Sequence, residues 1–206
     1  MIILSDVHGD IETCERVAKE HPNETVLQLG DIGVGFNVPK FIGHPYRYDG
    51  KPVWQAVLNL PKNFWFFVGN HDNRSLASDL WNCLGNYGEF KDIFFVSGAD
   101  SIDKDRRTLG VDYWPDEELN HQQASDCLEL WEQSKATTII AHDCPQRIAE
   151  GYMLIYDRSY TRNLLDAMVK ARKPNLVIFG HHHRKLNISL DGTRYICLPV
   201  GETIKI

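Results

Sequence analysis

Short, mostly apolar runs alternate along the chain with longer stretches in which apolar residues recur every three to four positions. Residues 2–4, 26–29, 64–68, 93–96, 138–141 and 177–179 are rich in β-branched, aromatic or leucine side chains, and several are closed by glycine. This pattern predicts buried strands. Residues 11–19 place Ile11, Cys14, Val17 and Ala18 on one helical face. Residues 54–60, 76–84, 127–131 and 164–171 have similar spacing, and all five segments predict helices. The chain closes with apolar alternation over 188–190, 195–198 and 203–206, with an Asp191-Gly192 turn between the first two. That pattern predicts an antiparallel meander. Strand–helix alternation followed by hairpins predicts an α/β fold with a mixed sheet. Residues 32–52 hold three prolines and four glycines, which predicts a long loop.

Composition narrows the picture. The 206 residues fit a single domain, and 43% hydrophobic residues suffice for a sizeable core. A net charge of -6 disfavours unspecific nucleic-acid binding, which requires many cations against phosphate. The cysteines Cys14, Cys83, Cys127, Cys144 and Cys197 are scattered, odd in number and form no C-x-x-C pair. They are expected to be reduced core thiols in a cytoplasm-like compartment. No apolar run has membrane-spanning length, and Ser5-Asp6 interrupts the only apolar start, so neither a membrane anchor nor a signal peptide is expected.

The strand ends carry the candidate chemistry. Residues 2–4 lead into Asp6 and His8, and residues 26–29 into Asp31. Residues 64–68 lead into Asn70, His71 and Asp72, residues 138–141 into His142, and residues 176–179 into His181, His182 and His183. One such ending is ordinary turn chemistry. Five endings on parallel neighbours would bring histidine, carboxylate and carboxamide groups to one sheet edge, where α/β proteins collect their sites. Nitrogen and oxygen donors without thiolate suit manganese, iron, zinc, nickel or cobalt better than structural zinc or calcium.

In these blocks the chain resembles the calcineurin-like metallophosphoesterases. Their ordered pattern D-x-H, G-D, G-N-H-[DE], a lone His and G-H-x-H is similar to Asp6-Val7-His8, Gly30-Asp31, Gly69-Asn70-His71-Asp72, His142 and Gly180-His181-His182-His183. Residues 98–118 also resemble a segment of short bacterial and phage-borne members. The protein Ser/Thr phosphatase branch continues its second block with an acid and an arginine. Here that block reads GDIGVGF, which makes a dedicated phosphoprotein phosphatase the lesser expectation.

The resemblance implies two mixed sheets sandwiched between helices, an αββα arrangement. It also implies a centre of two divalent transition-metal ions, manganese first. Asp6, His8, Asp31 and His183 would hold one ion. Asp31, Asn70, His142 and His181 would hold the other, with Asp31 shared. A hydroxide between the ions would attack phosphorus. His71 would take the catalytic role of general acid or charge stabiliser at the leaving oxygen, and Asp72 a supporting one.

Phosphodiester hydrolysis of a nucleotide-like or other small substrate is the leading expectation. Phosphomonoester or phosphoprotein hydrolysis follows, and a non-catalytic scaffold comes last. Arg107 could grip a substrate phosphate, or pair with Asp112, Glu117 or Glu118. Tyr113 and Trp114 are expected to pack under a loop. His21, His44 and His121 match no block and are expected at the surface. Arg158, Tyr160 and Arg162 are expected to form an ordinary helix start. If residues 180–183 leave their strand extended, His181 and His183 face the metals and His182 faces away.

Overall fold

The apolar runs form strands covered on both faces in the computed structural model, which describes residues 1–36, 47–48 and 50–206. One sheet contains β1 (Ile2–Leu4), β2 (Val26–Gln28) and β5 (Phe64–Phe66) in parallel, with β12 (Thr203–Lys205) antiparallel beside β1. The second contains β6 (Tyr87–Phe90), β7 (Ile93–Val96), β8 (Thr138–Ala141), β9 (Leu176–Phe179), β10 (Leu186–Leu190) and β11 (Thr193–Cys197), in the order β10-β11-β9-β8-β7-β6. Strands β7, β8, β9 and β11 are parallel, and the two edge strands run antiparallel to them. A small ribbon pairs β3 (Arg47–Tyr48) with β4 (Lys51–Pro52).

Side-chain alternation sets the layers. On β1, Ile2 and Leu4 join the cluster under α1 (Ile11–Glu20) and α2 (Val53–Val57), while Ile3 points to the other sheet. On β8 and β9, Ile140 and Ile178 point to the first sheet. Ile139, Ala141, Val177 and Phe179 pack instead beneath α4 (His121–Gln133) and α6 (Tyr160–Ala171). A strand covered on both faces is apolar at most positions, which is why these runs lack polar alternation. The result is helix, sheet, sheet, helix. Side-chain caps start α1, α6 and α4: Asp10 accepts from the Thr13 N–H, Ser159 from that of Arg162, and Asn120 with Gln123 forms a capping box.

Three expectations change. The helix predicted over residues 76–84 reduces to α3 (Arg74–Ala77). Beyond it, the Phe66 N–H donates to the Asn82 carbonyl at 3.1 Å and the Leu84 N–H to the Phe66 carbonyl at 2.8 Å. The open edge of β5 thus captures backbone groups that a helix would have satisfied internally. The meander keeps β10 and β11, but residues 203–205 leave it and pair with β1 in the other sheet. Gly201 donates its N–H to the Asp6 carbonyl at 2.8 Å, fixing that crossing. Strand β6 arises where no strand was expected, as the antiparallel partner of β7. The long loop predicted over residues 32–52 falls largely outside the described residues, as does His44. No helix among the described residues is long and apolar enough to cross a membrane.

Candidate metal centre

Parallel pairing brings the C-terminal ends of β1, β2, β5, β8 and β9 to one end of the sandwich, and the five motif blocks follow those strands. Two glycines permit the close approach. A Cβ on Gly69 would collide with Asp31 and His142, and one on Gly180 with the Asp6 carboxylate. Four of the motif residues have left-handed backbones: His8 (φ 47°), Asp31 (φ 58°), His181 (φ 62°) and His183 (φ 52°). Such conformations are costly for residues other than glycine and cluster at functional sites.

The side chains converge in two groups that share Asp31. In the first, His8 Nε2 lies 2.9 Å from His183 Nε2 and 3.9 Å from both Asp6 Oδ2 and Asp31 Oδ2. His183 Nε2 is 3.3 Å from Asp6 Oδ2. In the second, His142 Nε2 is 3.3 Å from Asp31 Oδ1 and 3.1 Å from Asn70 Oδ1. One ligand atom each from Asp31, His142 and His181 lies within 4.8 Å of the others. Asp31 therefore turns one oxygen to each group.

The electrostatics fit cation holding. Burial would raise the Asp31 carboxyl, but the His142 charge and a His142 hydrogen bond hold it well below its usual range. Burial works against a charged His142, yet Asp31 and Asp6 lift it to about 10. Its Nδ1 lies 2.8 Å from the Leu29 carbonyl, which fixes the ring with Nε2 toward Asp31. Burial keeps His181 neutral, lowering it to about 3, and also lowers His8. Neutral imidazole is the form that ligates.

Supporting residues lock the frame. Asp72 accepts the N–H groups of Asp31, Gly33, Val34 and Gly69 at 2.7–2.9 Å. Asn70 Nδ2 donates to Ser101 Oγ at 2.9 Å, and that hydroxyl donates to Glu117 Oε2 at 2.6 Å. The relay aims Asn70 Oδ1 at the cluster. His71 donates its backbone N–H to Asp31 Oδ1 at 2.7 Å, and its ring packs tilted against Phe36 with centroids 4.5 Å apart.

Arg107 Nη2 lies 3.0 Å from His71 Nε2. Because an arginine only donates, Nε2 accepts and the imidazole is neutral. Burial, with Arg107 adding, lowers His71 to about 3. The acid partner of Arg107 is Asp103, at 2.6 Å, rather than Asp112, Glu117 or Glu118; Asp112 offers only its carbonyl. Trp114 is buried against Phe36, as packing under a loop predicts.

Residues 180–183 are not extended, because His181 and His183 are left-handed. His182 is instead drawn aside by Asp143 Oδ1 at 2.9 Å and Cys144 Sγ at 3.3 Å. His21 lies after α1 at 3.4 Å from Glu24, and His121 opens α4 at the surface. Arg162 is no ordinary helix-start residue: it is 1% exposed, 3.7 Å from Asp143, and lines the same cavity as His181. Phe36, Ser101, Asp143 and Arg162 escaped sequence reasoning. Of these only Asp143, directly after His142, and Ser101, within the segment 98–118, carried any signal. The cavity is about 380 Å³ and is also lined by Asn70, His71 and Arg107.

A family model described as calcineurin-like phosphoesterase matches residues 1–185. No curated protein matches the chain. Among solved structures, the chain is similar to a dimetal phosphatase from Danio rerio at 12% identity, covering 97% of this chain and 87% of that one, with a TM-score of 0.55. It is similar to a putative 5′-nucleotidase from Staphylococcus aureus at 14% identity and a TM-score of 0.54, covering 97% of this chain but only 48% of that one. It is also similar to GAP50, the anchor in the inner membrane complex of Plasmodium, at 14% identity and a TM-score of 0.54, covering 98% and 72%. At these identities the likeness concerns the fold.

Proposed function

The chain belongs to the calcineurin-like phosphoesterase family, and from that premise we propose that it hydrolyses a phosphodiester of a nucleotide-like or other small substrate at a two-metal centre. The observation that carries this reading is Asp31, whose Oδ2 faces His8 while Oδ1 faces His142. Asp6, His8, Asp31 and His183 would hold one ion, and Asp31, Asn70, His142 and His181 the other. Manganese is the first candidate; iron, zinc, nickel and cobalt suit the same donors. When bound, two such ions supply Lewis acidity to phosphoryl oxygens and make water acidic enough to attack near neutral pH.

The remaining steps belong to the protein. Arg107 donates to a phosphate oxygen, leaving its contact with His71. Anionic phosphate beside His71 then opposes the burial that keeps it neutral, so the ring can carry a proton to the leaving oxygen or stabilise the charge there. Asp72 and the Ser101–Glu117 relay keep Asp31 and Asn70 in place during turnover.

The test compares bis(p-nitrophenyl) phosphate with p-nitrophenyl phosphate, using protein stripped of metal and reconstituted with Mn²⁺. Metal-dependent turnover with higher kcat/KM on the diester is expected. Preference for the monoester would move the reading to a phosphomonoesterase, and no turnover of either would favour a scaffold.

A further inference from the structure

The cavity beside the candidate centre has a second cationic wall that hydrolysis at Asp31 does not use. Arg162 sits in the first turn of α6 and is 1% exposed, yet its Nε and Nη2 have no hydrogen-bond partner. Asp143 Oδ2 lies 3.7 Å away, close enough to offset charge but too far for a hydrogen bond. The other oxygen, Oδ1, is already engaged by His182 Nε2 at 2.9 Å and by the Cys144 N–H at 2.7 Å. A buried guanidinium with unmet N–H groups is costly. Its desolvation is already complete, and its planar fork matches phosphate.

Arg184 comes from a different segment and lines the same cavity. Its Nη1 donates to the Met153 carbonyl at 2.9 Å, which positions the side chain without cancelling its charge. Arg107 lines the cavity beside His71 and is already paired with Asp103.

We propose that Arg162 and Arg184 form a subsite for a second phosphate group of the substrate, separate from the phosphate that is cleaved. This rests on the phosphoesterase reading above and narrows it to phosphoesters carrying a further phosphate, such as nucleoside polyphosphates or bisphosphates. Asp143 then acts as a counter-ion that steers Arg162 while leaving the N–H groups of Nε and Nη2 for the ligand.

The test has two arms. In metal-free protein, calorimetric titration with inorganic phosphate is expected to detect one site. Arg162→Gln should weaken it at least about tenfold and Arg184→Gln several-fold, as expected for losing charged hydrogen bonds. Thermal melting checks that each variant folds. If Arg162→Gln does not fold, Arg184→Gln, at an exposed position, decides. In Mn²⁺-loaded protein, pyrophosphate should inhibit bis(p-nitrophenyl) phosphate hydrolysis more tightly than phosphate, and Arg184→Gln should remove that difference. Absence of phosphate binding by wild type, or unchanged affinity in the folded variants, overturns the subsite, as does a pyrophosphate preference unmoved by Arg184→Gln. Phosphate binding through Arg162 in a protein that hydrolyses no phosphoester would instead overturn the proposed function and leave the subsite standing.

Discussion

His71 is placed to respond to the substrate. It is buried, neutral, and accepts from Arg107 at 3.0 Å. It lies outside both proposed ligand sets, so His71→Ala should leave the metal content intact. It should lower kcat by about 10²–10⁴-fold, with the larger losses on poor leaving groups. Metal analysis and a leaving-group series on aryl phosphodiesters check this. A uniform loss across leaving groups would assign His71 to charge stabilisation instead. Glu117 responds to pH. Burial lifts its carboxyl to about 7, from an ordinary value of 4.5. A carboxyl raised on folding stabilises the fold fully below its unfolded pKa, and that contribution is lost as pH rises through about 7. Glu117→Gln has no such proton to lose. Its melting temperature should therefore fall less than wild type's between pH 5 and pH 8, and equal falls would exonerate Glu117.

At the scale of elements, the turn after β9 sorts three consecutive histidines. His181 and His183 reach the two clusters through left-handed backbones, while Asp143 and Cys144 hold His182 aside. His181→Ala and His183→Ala should each release metal and nearly all activity. His182→Ala should keep both ions and lose at most about 10–100-fold, the cost of removing a supporting contact. Elemental analysis of the three purified variants decides. A site emptied by His182→Ala but by neither neighbour would reverse the assignment.

For the whole molecule, the five segments that supply the clusters come from both sheets. A bound ion therefore ties the two sheets together and can be read in global stability. An ion at a hundred times its Kd adds about 2.7 kcal/mol. For a chain of this size that raises Tm by roughly 5–10 °C. Excess Mn²⁺ should produce this shift and chelator should reverse it. Asp31→Asn should lose most of it, because that carboxylate serves both groups; a full shift in the variant would remove Asp31 from the shared position.

Much of this was legible in the chain itself. Two-sided burial makes β1, β7 and β9 apolar throughout, and β8 apolar after Thr138, so periodicity identifies them. The motif blocks mark the strand ends because polar side chains leave the apolar core where the strands stop. Other features depended on distant partners. Residues 78–84 follow the open edge of β5 rather than their own helical spacing, and β12 crosses to β1 because that strand has a free side. His182 turns away because Asp143 lies beside it, not because the backbone is extended. Arg162 looks like any helix-start residue until the fold buries it against Asp143 at the cavity wall. Local pattern determines which residues are buried and where strands end, because those depend on solvent and chain period. Which groups meet across the cavity depends on the packing of the two sheets, and no single segment encodes that.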